Sequence, residues 1–320
     1  MNSVQILTVI FDIFCPLATG YILRKKGWMS QKACNALMLF NVVALITVMN
    51  LMSFWILPIS RSFILLPILS VVMALLSVGL AVFVFGRSLS DPLEKGSFAV
   101  SAMLSNIGTL GGICAFIAYG EISFAYVQLF AVPQNVLMVI LAFPLAQYYY
   151  AKKLESAAGL HWEISIKDMF FTKKQLGVLG MLIGLGLQLA GVERPPVVAN
   201  FFHYLVHIQA WIAFTPVGYT IDFSKASKYY KKVLSILPLR FLLCPWWLYL
   251  IARPFIHDQR LLGTILIAAA TPTAINSVIT AQLFGLDVDL SVASFLETTV
   301  VYVLVAFPLF YLYISYGGQL

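Results

Sequence analysis

The 320 residues are 61% hydrophobic and only 10% charged, which is more apolar than a soluble domain of this length requires. A net charge of +7 would suggest nucleic acid as a partner of a soluble protein. Here the basic residues lie in loops beside apolar spans, so orientation in a lipid bilayer explains them better. The 4 cysteines occur singly, so we predict neither disulfides nor a metal site, and no cofactor. Composition predicts an all-α polytopic membrane protein that does not bind nucleic acid.

Ten apolar spans follow one another along the chain, each of about the 20 residues that a helix needs to cross a bilayer. They cover residues 4–23, 33–57, 63–85, 96–119, 122–148, 175–191, 199–221, 233–252, 261–284 and 289–314. Basic residues follow the first span and do not precede it, so we expect a membrane helix and not a cleaved signal. The long polar connection 149–174 separates a first five-helix repeat, 1–148, from a second, 175–320.

The distribution of Lys and Arg between the loops predicts the orientation of the spans. If the N-terminus is outside, most basic residues fall in cytoplasmic loops, including loop 149–174. The outer loops then contain only Arg61, Arg194, Arg253 and Arg260. Because positive charge is retained on the cytoplasmic side, we predict a multi-pass protein of the cell membrane with both termini outside.

Three glycines and one proline of the first half recur 164 or 165 residues later in the second half. The matched pairs are Gly20 with Gly184, Gly27 with Gly191, Gly120 with Gly285, and Pro144 with Pro308. Each half contains five spans, and an odd number of crossings turns the second half upside down relative to the first. The pattern therefore predicts the 5+5 inverted repeat of secondary transporters.

The centres of the fourth and ninth spans contain residues that an uninterrupted membrane helix does not need. The fourth reads Ser105-Asn106-Ile107-Gly108-Thr109-Leu110-Gly111-Gly112, and the ninth reads Thr271-Pro272-Thr273-Ala274-Ile275-Asn276-Ser277. Small residues also favour close helix packing, which is the alternative for either segment alone. Two symmetric interruptions favour a transporter binding site, because broken helix ends offer N–H and C=O groups to an ion or an anion.

Two sets of site residues follow from these interruptions. The side chains that we predict to bind substrate are Asn106, Thr109, Thr271, Thr273 and Asn276. The residues that we predict to break the helices are Gly108, Gly111, Gly112 and Pro272. An asparagine amide can bind a carboxylate without carrying a charge itself, which would allow a carrier to release the anion again.

Three ionisable residues lie within apolar spans: Asp12, Arg240 and Glu297. Charges in a membrane are costly and mark functional sites. Asp12 and Arg240 lie near span ends, so reaching the interface is the alternative for both. Glu297 lies near the middle of its span, and we predict that Glu297 or Asp12 couples transport to protons. His203 and His207 share a helical face without a third ligand, so we interpret them as interfacial and not as a zinc site.

Four stretches in chain order carry a family resemblance. They are PLATGYILRKKG at 16–27, SNIGTLG at 105–111, FTPVG at 214–218, and ATPTAINS followed by LFGLD within 270–287. Each is similar to the corresponding stretch of the auxin efflux carrier family, which includes plant PIN carriers and bacterial malate-permease-like proteins. The resemblance implies ten spans in an inverted repeat, with the fourth and ninth helices broken and crossing. It also implies that a small organic anion binds at the crossing, with Asn106 contacting its carboxylate.

The sequence departs from this family at three places. Gly112-Ile113 stand where the family has a proline after the glycine of the fourth span, and a proline usual in the second span is absent around Ile46-Thr47. Glu297 stands where we expect a small or hydroxyl residue. We therefore expect the fourth span to break through glycine flexibility, and the substrate class can differ from auxin and malate.

The sequence as a whole predicts a secondary active transporter that moves a small organic anion across the membrane by alternating access. The alternatives are a passive channel or facilitator and a sodium-coupled organic anion symporter, the latter because the related sodium–bile acid symporters share the architecture. An enzyme is not expected, since no nucleophile, metal-ligand cluster or carboxylate pair is visible. The expected partners are the anion, the bilayer and a coupling proton or sodium ion, with a homodimer left open.

Overall fold

The computed structural model describes residues 3–60, 62–154, 176–220 and 227–317. Within these ranges the chain is almost entirely helical and has no β-strand, which confirms the all-α class. Most of the predicted loop 149–174 lies outside the described residues, and its first residues continue the helix Phe143–Leu154.

The described α-helices have the following bounds in chain order: α1 (Ser3–Lys25), α2 (Gln31–Phe40), α3 (Ile46–Phe54), α4 (Ser62–Phe83), α5 (Pro92–Met103), α6 (Gly112–Tyr119), α7 (Glu121–Leu137), α8 (Phe143–Leu154), α9 (Leu176–Leu189), α10 (Pro196–Thr220), α11 (Tyr230–Val233), α12 (Ile236–Pro238), α13 (Cys244–Ala252), α14 (Gln259–Ala269), α15 (Ile275–Leu283), α16 (Val288–Val301) and α17 (Phe307–Gly317). Wider π-helical turns occupy Asn41–Leu45, Ile107–Gly111, Met138–Ala142, Leu239–Leu243 and Tyr302–Ala306. Short 3₁₀ turns occupy Phe85–Ser88 and Ser227–Tyr229.

Six helical stretches in the described part of the chain are long and apolar enough to cross a membrane. They are Gln31–Phe54, Ile64–Ser88, Glu121–Leu154, Pro196–Thr220, Tyr230–Ala252 and Val288–Leu312. These six coincide with the second, third, fifth, seventh, eighth and tenth predicted spans. Three further apolar helices are shorter, namely Ile107–Tyr119, Leu176–Leu189 and Gln259–Ala269. The described residues thus include six candidate membrane spans, and the full number of ten stays a prediction.

Proline positions explain three of the π-helical turns. The turns Met138–Ala142, Leu239–Leu243 and Tyr302–Ala306 each end two residues before a proline, at Pro144, Pro245 and Pro308. Proline has no N–H to donate, and its ring clashes with the carbonyl four residues earlier, so the preceding turn widens. The first and third of these turns are separated by the 164 residues that relate the two halves of the sequence.

Glycines with positive φ follow the same spacing. Gly27 and Gly191 have φ of 66° and 68°, and each follows the end of a helix that begins one of the two sequence halves. At each, the next residue donates its N–H back to a carbonyl five residues earlier, which is the Schellman arrangement that favours glycine. Gly120 and Gly285, with φ of 85° and 67°, form the second such pair. The matched backbone geometry agrees with a repeated unit, whose inversion stays a prediction.

The chain divides into two compact units. Unit 1 comprises Met1–Ser60, Gly112–Gln128 and Glu163–Ile221, and unit 2 comprises Arg61–Gly111, Leu129–Trp162 and Asp222–Leu320. Each unit therefore takes segments from both halves of the sequence, and the boundaries at 148 and 175 describe an expected symmetry and not these units.

Unit 1 contains α1 packed against α10 through reciprocal glycine contacts. A Cβ added to Gly20 would lie 1.9 Å from the carbonyl oxygen of Thr215, and one added to Gly218 would lie 2.0 Å from that of Leu17. Only glycine permits this approach of two backbones, as is common between membrane helices. In unit 2, α5 packs against α4, α8 and α16, so its C-terminal end lies in the core of that unit.

Candidate functional site

The fourth predicted span is interrupted, and the interruption precedes its glycines. Helix α5 begins after Asp91, whose carboxylate accepts a hydrogen bond from the Leu93 N–H at 2.9 Å, and ends at Met103. Residues 104–106 are not helical, and Leu104 is extended with φ −85° and ψ 119°. Gly108 and Gly111 lie in the π-helical turn that follows, and Gly112 begins α6. The helix is therefore interrupted although the sequence has no proline at this position.

The ninth predicted span is interrupted in the same way. Helix α14 ends at Ala269 and α15 begins at Ile275. Pro272 lies inside the intervening segment. Because proline has no N–H, it cannot donate the backbone hydrogen bond that would continue the helix. Ala274, the residue before α15, is extended with φ −81° and ψ 152°, and no side chain caps the helix N-terminus.

Hydrogen bonds join the two interruptions to each other. The Asn106 N–H donates to the Pro272 carbonyl at 2.8 Å, and the Ala274 N–H donates to the Leu104 carbonyl at 2.9 Å, on either side of an antiparallel bridge. We call residues 104–106 and 272–274 together the paired break. Since unpaired backbone groups are costly away from water, each interruption satisfies the groups that the other leaves free.

Thr271 and Thr273, both predicted to bind substrate, are fully buried and donate their hydroxyl hydrogens inside the protein. Thr271 donates to the Ala268 carbonyl at 2.7 Å, and Thr273 donates to the Ser101 carbonyl at 2.9 Å. The Thr273 N–H donates to the hydroxyl oxygen of Thr298 on α16 at 3.0 Å. These contacts stabilise the paired break and leave only hydroxyl lone pairs for a ligand.

Asn106, Thr109 and Asn276 differ from the two buried threonines. All three are partly exposed, and their side chains make no hydrogen bond within the described part of the chain. Asn276 lies in the first turn of α15, whose uncapped N-terminus carries partial positive charge. Neutral amide donors and a positive helix end therefore flank the paired break and are available to a ligand.

Arg240 contacts the paired break from the π-helical turn before α13. Its side chain is fully buried inside the protein. The guanidinium donates to the Ser105 hydroxyl and to the carbonyls of Ser101 and Leu104, the latter two at 3.1 and 2.9 Å. No described carboxylate lies within ion-pair distance, and Nε has no acceptor in the described residues. A buried positive charge therefore lies at the C-terminal end of α5.

Gln134 of α7 is a site residue that sequence reasoning missed. Its side-chain amide donates to the Ser105 carbonyl at 2.6 Å, so this polar side chain of an apolar span also stabilises the paired break. A glutamine within the fifth span was a signal that could have identified it, because an amide in hydrocarbon needs a partner.

Glu297 lies on α16, one residue before the threonine that bonds Thr273. Its side chain is partly buried, and its Oε2 atom is inaccessible to solvent without a hydrogen-bond partner in the described residues. The structure therefore places Glu297 on a helix that contacts the paired break, but pairs it with no basic residue within the described ranges.

Asp12 lies in unit 1, where α10 supplies its partner. Its carboxylate lies 2.5 Å from Nδ1 of His207, and the Asp12 side chain is only 5% exposed. Asp12 is therefore buried against α10, and His207 is partly buried beside it. His203 contacts the His207 ring one turn earlier, at 5.4 Å between centroids.

Asp287 anchors the start of α16 outside the apolar spans. Its carboxylate accepts hydrogen bonds from the Leu290 N–H, at 2.9 Å, and from the Tyr229 hydroxyl, while its carbonyl accepts one from Ser97 of α5 at 2.7 Å. Burial, and then the bond to the Asp287 carboxylate, raise the pKa of Tyr229, so this phenol stays protonated as a donor. The contacts hold α5 and α16 together at one end.

Comparison with known families now identifies the kind of protein. Residues 5–311 match the family model described as membrane transport protein, which is nearly the whole chain. The chain belongs to the auxin efflux carrier family. A comparison with curated proteins finds no match. This is a family of membrane transporters and not of enzymes, so the helical spans and the interrupted helices belong to a membrane transport protein.

Proposed function

We propose that this member of the auxin efflux carrier family is a secondary carrier that moves a small organic anion by alternating access. The observation that carries the proposal is the uncapped N-terminus of α15 beside the open side chains of Asn106 and Asn276. Helix N-termini favour anions, and amide donors bind a carboxylate without the strong attraction of a fixed charge. A carrier needs this balance because it must release what it binds.

The predicted site residues take two roles in this proposal. Asn106, Thr109 and Asn276 contact the anion directly, since their side chains are accessible and otherwise unused. Thr271 and Thr273 hold the paired break in shape and offer the anion at most an indirect contribution, because their hydroxyl hydrogens are donated to carbonyls.

The residues that we predicted to break the helices have different roles in this proposal. Pro272 supplies the carbonyl that accepts from Asn106, while Gly108 and Gly111 lie in the π-helical turn that follows the interruption. Gly112 allows close packing in unit 1, because a Cβ there would lie 2.9 Å from both the Gln128 amide nitrogen and a Phe124 ring carbon.

Ten spans in a 5+5 inverted repeat, with both termini outside the cell membrane, complete the proposed architecture. The spacing of the positive-φ glycines and of the proline-linked π-helical turns supports the repeat. The ion pairs between loop segments agree with the proposed topology, because each joins segments that this topology puts on the same side of the membrane. Arg194 with Glu121 is an outer pair, and Lys153 with Asp91 is an inner pair.

Proton coupling is proposed for Glu297, with the Asp12–His207 pair as the second candidate. Glu297 has a solvent-inaccessible carboxyl oxygen and no basic partner among the described residues, so its carboxyl group is available to bind and release a proton. We expect Glu297→Gln to abolish the dependence of uptake on a pH gradient while leaving exchange of solute across proteoliposomes intact. Unchanged pH dependence in this variant would assign coupling to another group, and Asp12→Asn would then be measured in the same way.

Asn106 provides the test of the proposed site. The probe panel contains small organic acids, including malate and indole-3-acetate, and the affinity of the best ligand is measured by calorimetry in detergent. Asn106→Ala should weaken binding roughly ten- to a hundredfold, or ~1.5–3 kcal/mol, the range for a hydrogen bond to a charged group. Asn106→Asp should be weaker still, because its carboxylate repels an anion.

Asn135→Ala is the matched control, since it makes the same truncation at an exposed position of α7. Retained affinity in a folded Asn106→Ala protein would contradict the proposed site. Tighter binding of the acid by Asn106→Asp would likewise contradict an anion site at this residue. Carrier and channel are separated by counterflow, because a solute loaded on the far side accelerates uptake only through a carrier.

A further inference from the structure

Arg240 is a second donor to two carbonyl groups that the interruption of α5 leaves without helical partners, since Ser101 also accepts from the Thr273 hydroxyl and Leu104 from the Ala274 N–H. A helix that ends inside a membrane exposes its last carbonyl oxygens, which need a donor or a cation. At the end of α5 the guanidinium bonds the carbonyls of Ser101 and Leu104 and the hydroxyl of Ser105. All three acceptors are oxygen atoms of one short segment.

This set of oxygens has the chemistry of an alkali-cation site. Hard cations bind carbonyl and hydroxyl oxygens, and unwound backbone and helix C-terminal ends coordinate sodium in transporters with interrupted helices. Arg240 reaches the set from a different element, the π-helical turn Leu239–Leu243. Its side chain is fully buried and lacks a carboxylate within ion-pair distance in the described residues, so its charge is not neutralised by a carboxylate.

We propose that the Arg240 guanidinium is a built-in cation that occupies a monovalent cation site at the C-terminal end of α5. A metal ion would dissociate and carry its gradient into the transport cycle, whereas a covalently attached cation remains. The protein therefore keeps the positive charge at the paired break without sodium. This deepens the proposed anion carrier, on which its transport consequence rests, and it disfavours the sodium-coupled alternative.

The Nε of Arg240, which has no acceptor among the described residues, favours the role of a built-in cation over that of one half of a structural ion pair. A structural arginine in a protein interior commonly has its donors satisfied by a carboxylate fork. Here the two terminal nitrogens bond the carbonyls and the hydroxyl, while Nε has no acceptor among the described residues. Among the described residues, only neutral oxygens contact the guanidinium, as they would contact a metal cation in this position.

The test uses sodium alone and needs no substrate, so it can fail independently of the proposed transport function. Purified full-length protein is measured for binding of ²²Na⁺ and for Tm in NaCl and in N-methyl-D-glucamine chloride of equal ionic strength. The variants are Arg240→Ala, which empties the site, and Arg240→Lys, which keeps a cation. Arg253→Ala is the control, because it removes an arginine that is exposed.

We expect wild type, Arg240→Lys and Arg253→Ala to bind no ²²Na⁺ and to have the same Tm in both salts. Arg240→Ala should have a lower Tm in N-methyl-D-glucamine chloride, and NaCl should raise it progressively with concentration, as mass action requires. Sodium-specific binding or stabilisation of wild type would overturn the proposal. So would a folded Arg240→Ala protein without any response to sodium. If Arg240→Ala does not fold, the same measurements are made on Arg240→Met. Sodium binding by Arg240→Met would support the proposal, and absence of sodium binding would contradict it.

Discussion

Thr273 and Thr298 allow the role of the paired break to be tested with two identical substitutions. Both residues are fully buried, and a single hydrogen bond joins them, from the Thr273 N–H to the Thr298 hydroxyl. Replacing either threonine by valine exchanges a hydroxyl for a methyl group and nearly keeps the side-chain shape. The two substitutions nevertheless differ in whether they leave a buried hydrogen-bonding group without a partner.

Thr273→Val removes the hydrogen bond to the Ser101 carbonyl but leaves no buried donor or acceptor without a partner. That carbonyl still accepts from Arg240 at 3.1 Å, and the Thr273 N–H still donates to Thr298. The expected cost is therefore that of one net hydrogen bond, about 0.5–1.5 kcal/mol. Thr298→Val instead removes the acceptor of a buried N–H, which adds the desolvation of an unpaired group and raises the expected cost to about 1–3 kcal/mol.

The assay is thermal unfolding in detergent, together with ligand affinity for each variant that folds. We expect Tm to fall in the order wild type, Thr273→Val, Thr298→Val, and Thr298→Ser to resemble wild type because it keeps the hydroxyl. A larger loss for Thr273→Val than for Thr298→Val would refute the assignment of the hydrogen bonds. Unchanged Tm with lost affinity in Thr273→Val would show that this hydroxyl binds substrate directly.

Two further predictions concern unit 1. Gly20→Ala should lower the free energy of unfolding by about 1–3 kcal/mol or abolish folding, because the new Cβ would lie 1.9 Å from the Thr215 carbonyl oxygen. Gly79→Ala is the control, and it should leave Tm unchanged or raise it, because a Cβ at Gly79 would have no neighbouring atom within 4 Å. Glu121→Gln should destabilise by about 3 kcal/mol, because it leaves the Arg194 guanidinium, only 9% exposed, without its charged partner. Equal Tm in detergent for Glu121→Gln and wild type would show that this pair contributes nothing.

Hydropathy and breaker residues by themselves determined the all-α class, the membrane environment and the two spans that are interrupted, but in the fourth span the break lies at residues 104–106, before the glycines that we predicted to cause it. These features are local, because a polar or proline-containing segment cannot continue a membrane helix wherever it packs. The short stretches around Asn106 and Asn276 likewise identified the family without tertiary information. The glycine spacing in the sequence also agrees with the positive φ of Gly27 and Gly191.

The partners of the polar groups were decided only by the tertiary structure. Arg240 and Ser105 are 135 residues apart, and Asp12 and His207 are 195 apart. The sequence shows that such buried groups need partners, but apolar spans are alike in hydropathy and do not specify which helix packs beside which. Packing therefore decided that Thr273 donates into the protein, that Asn106 keeps an open amide, and that Arg240 supplies the positive charge at the end of α5.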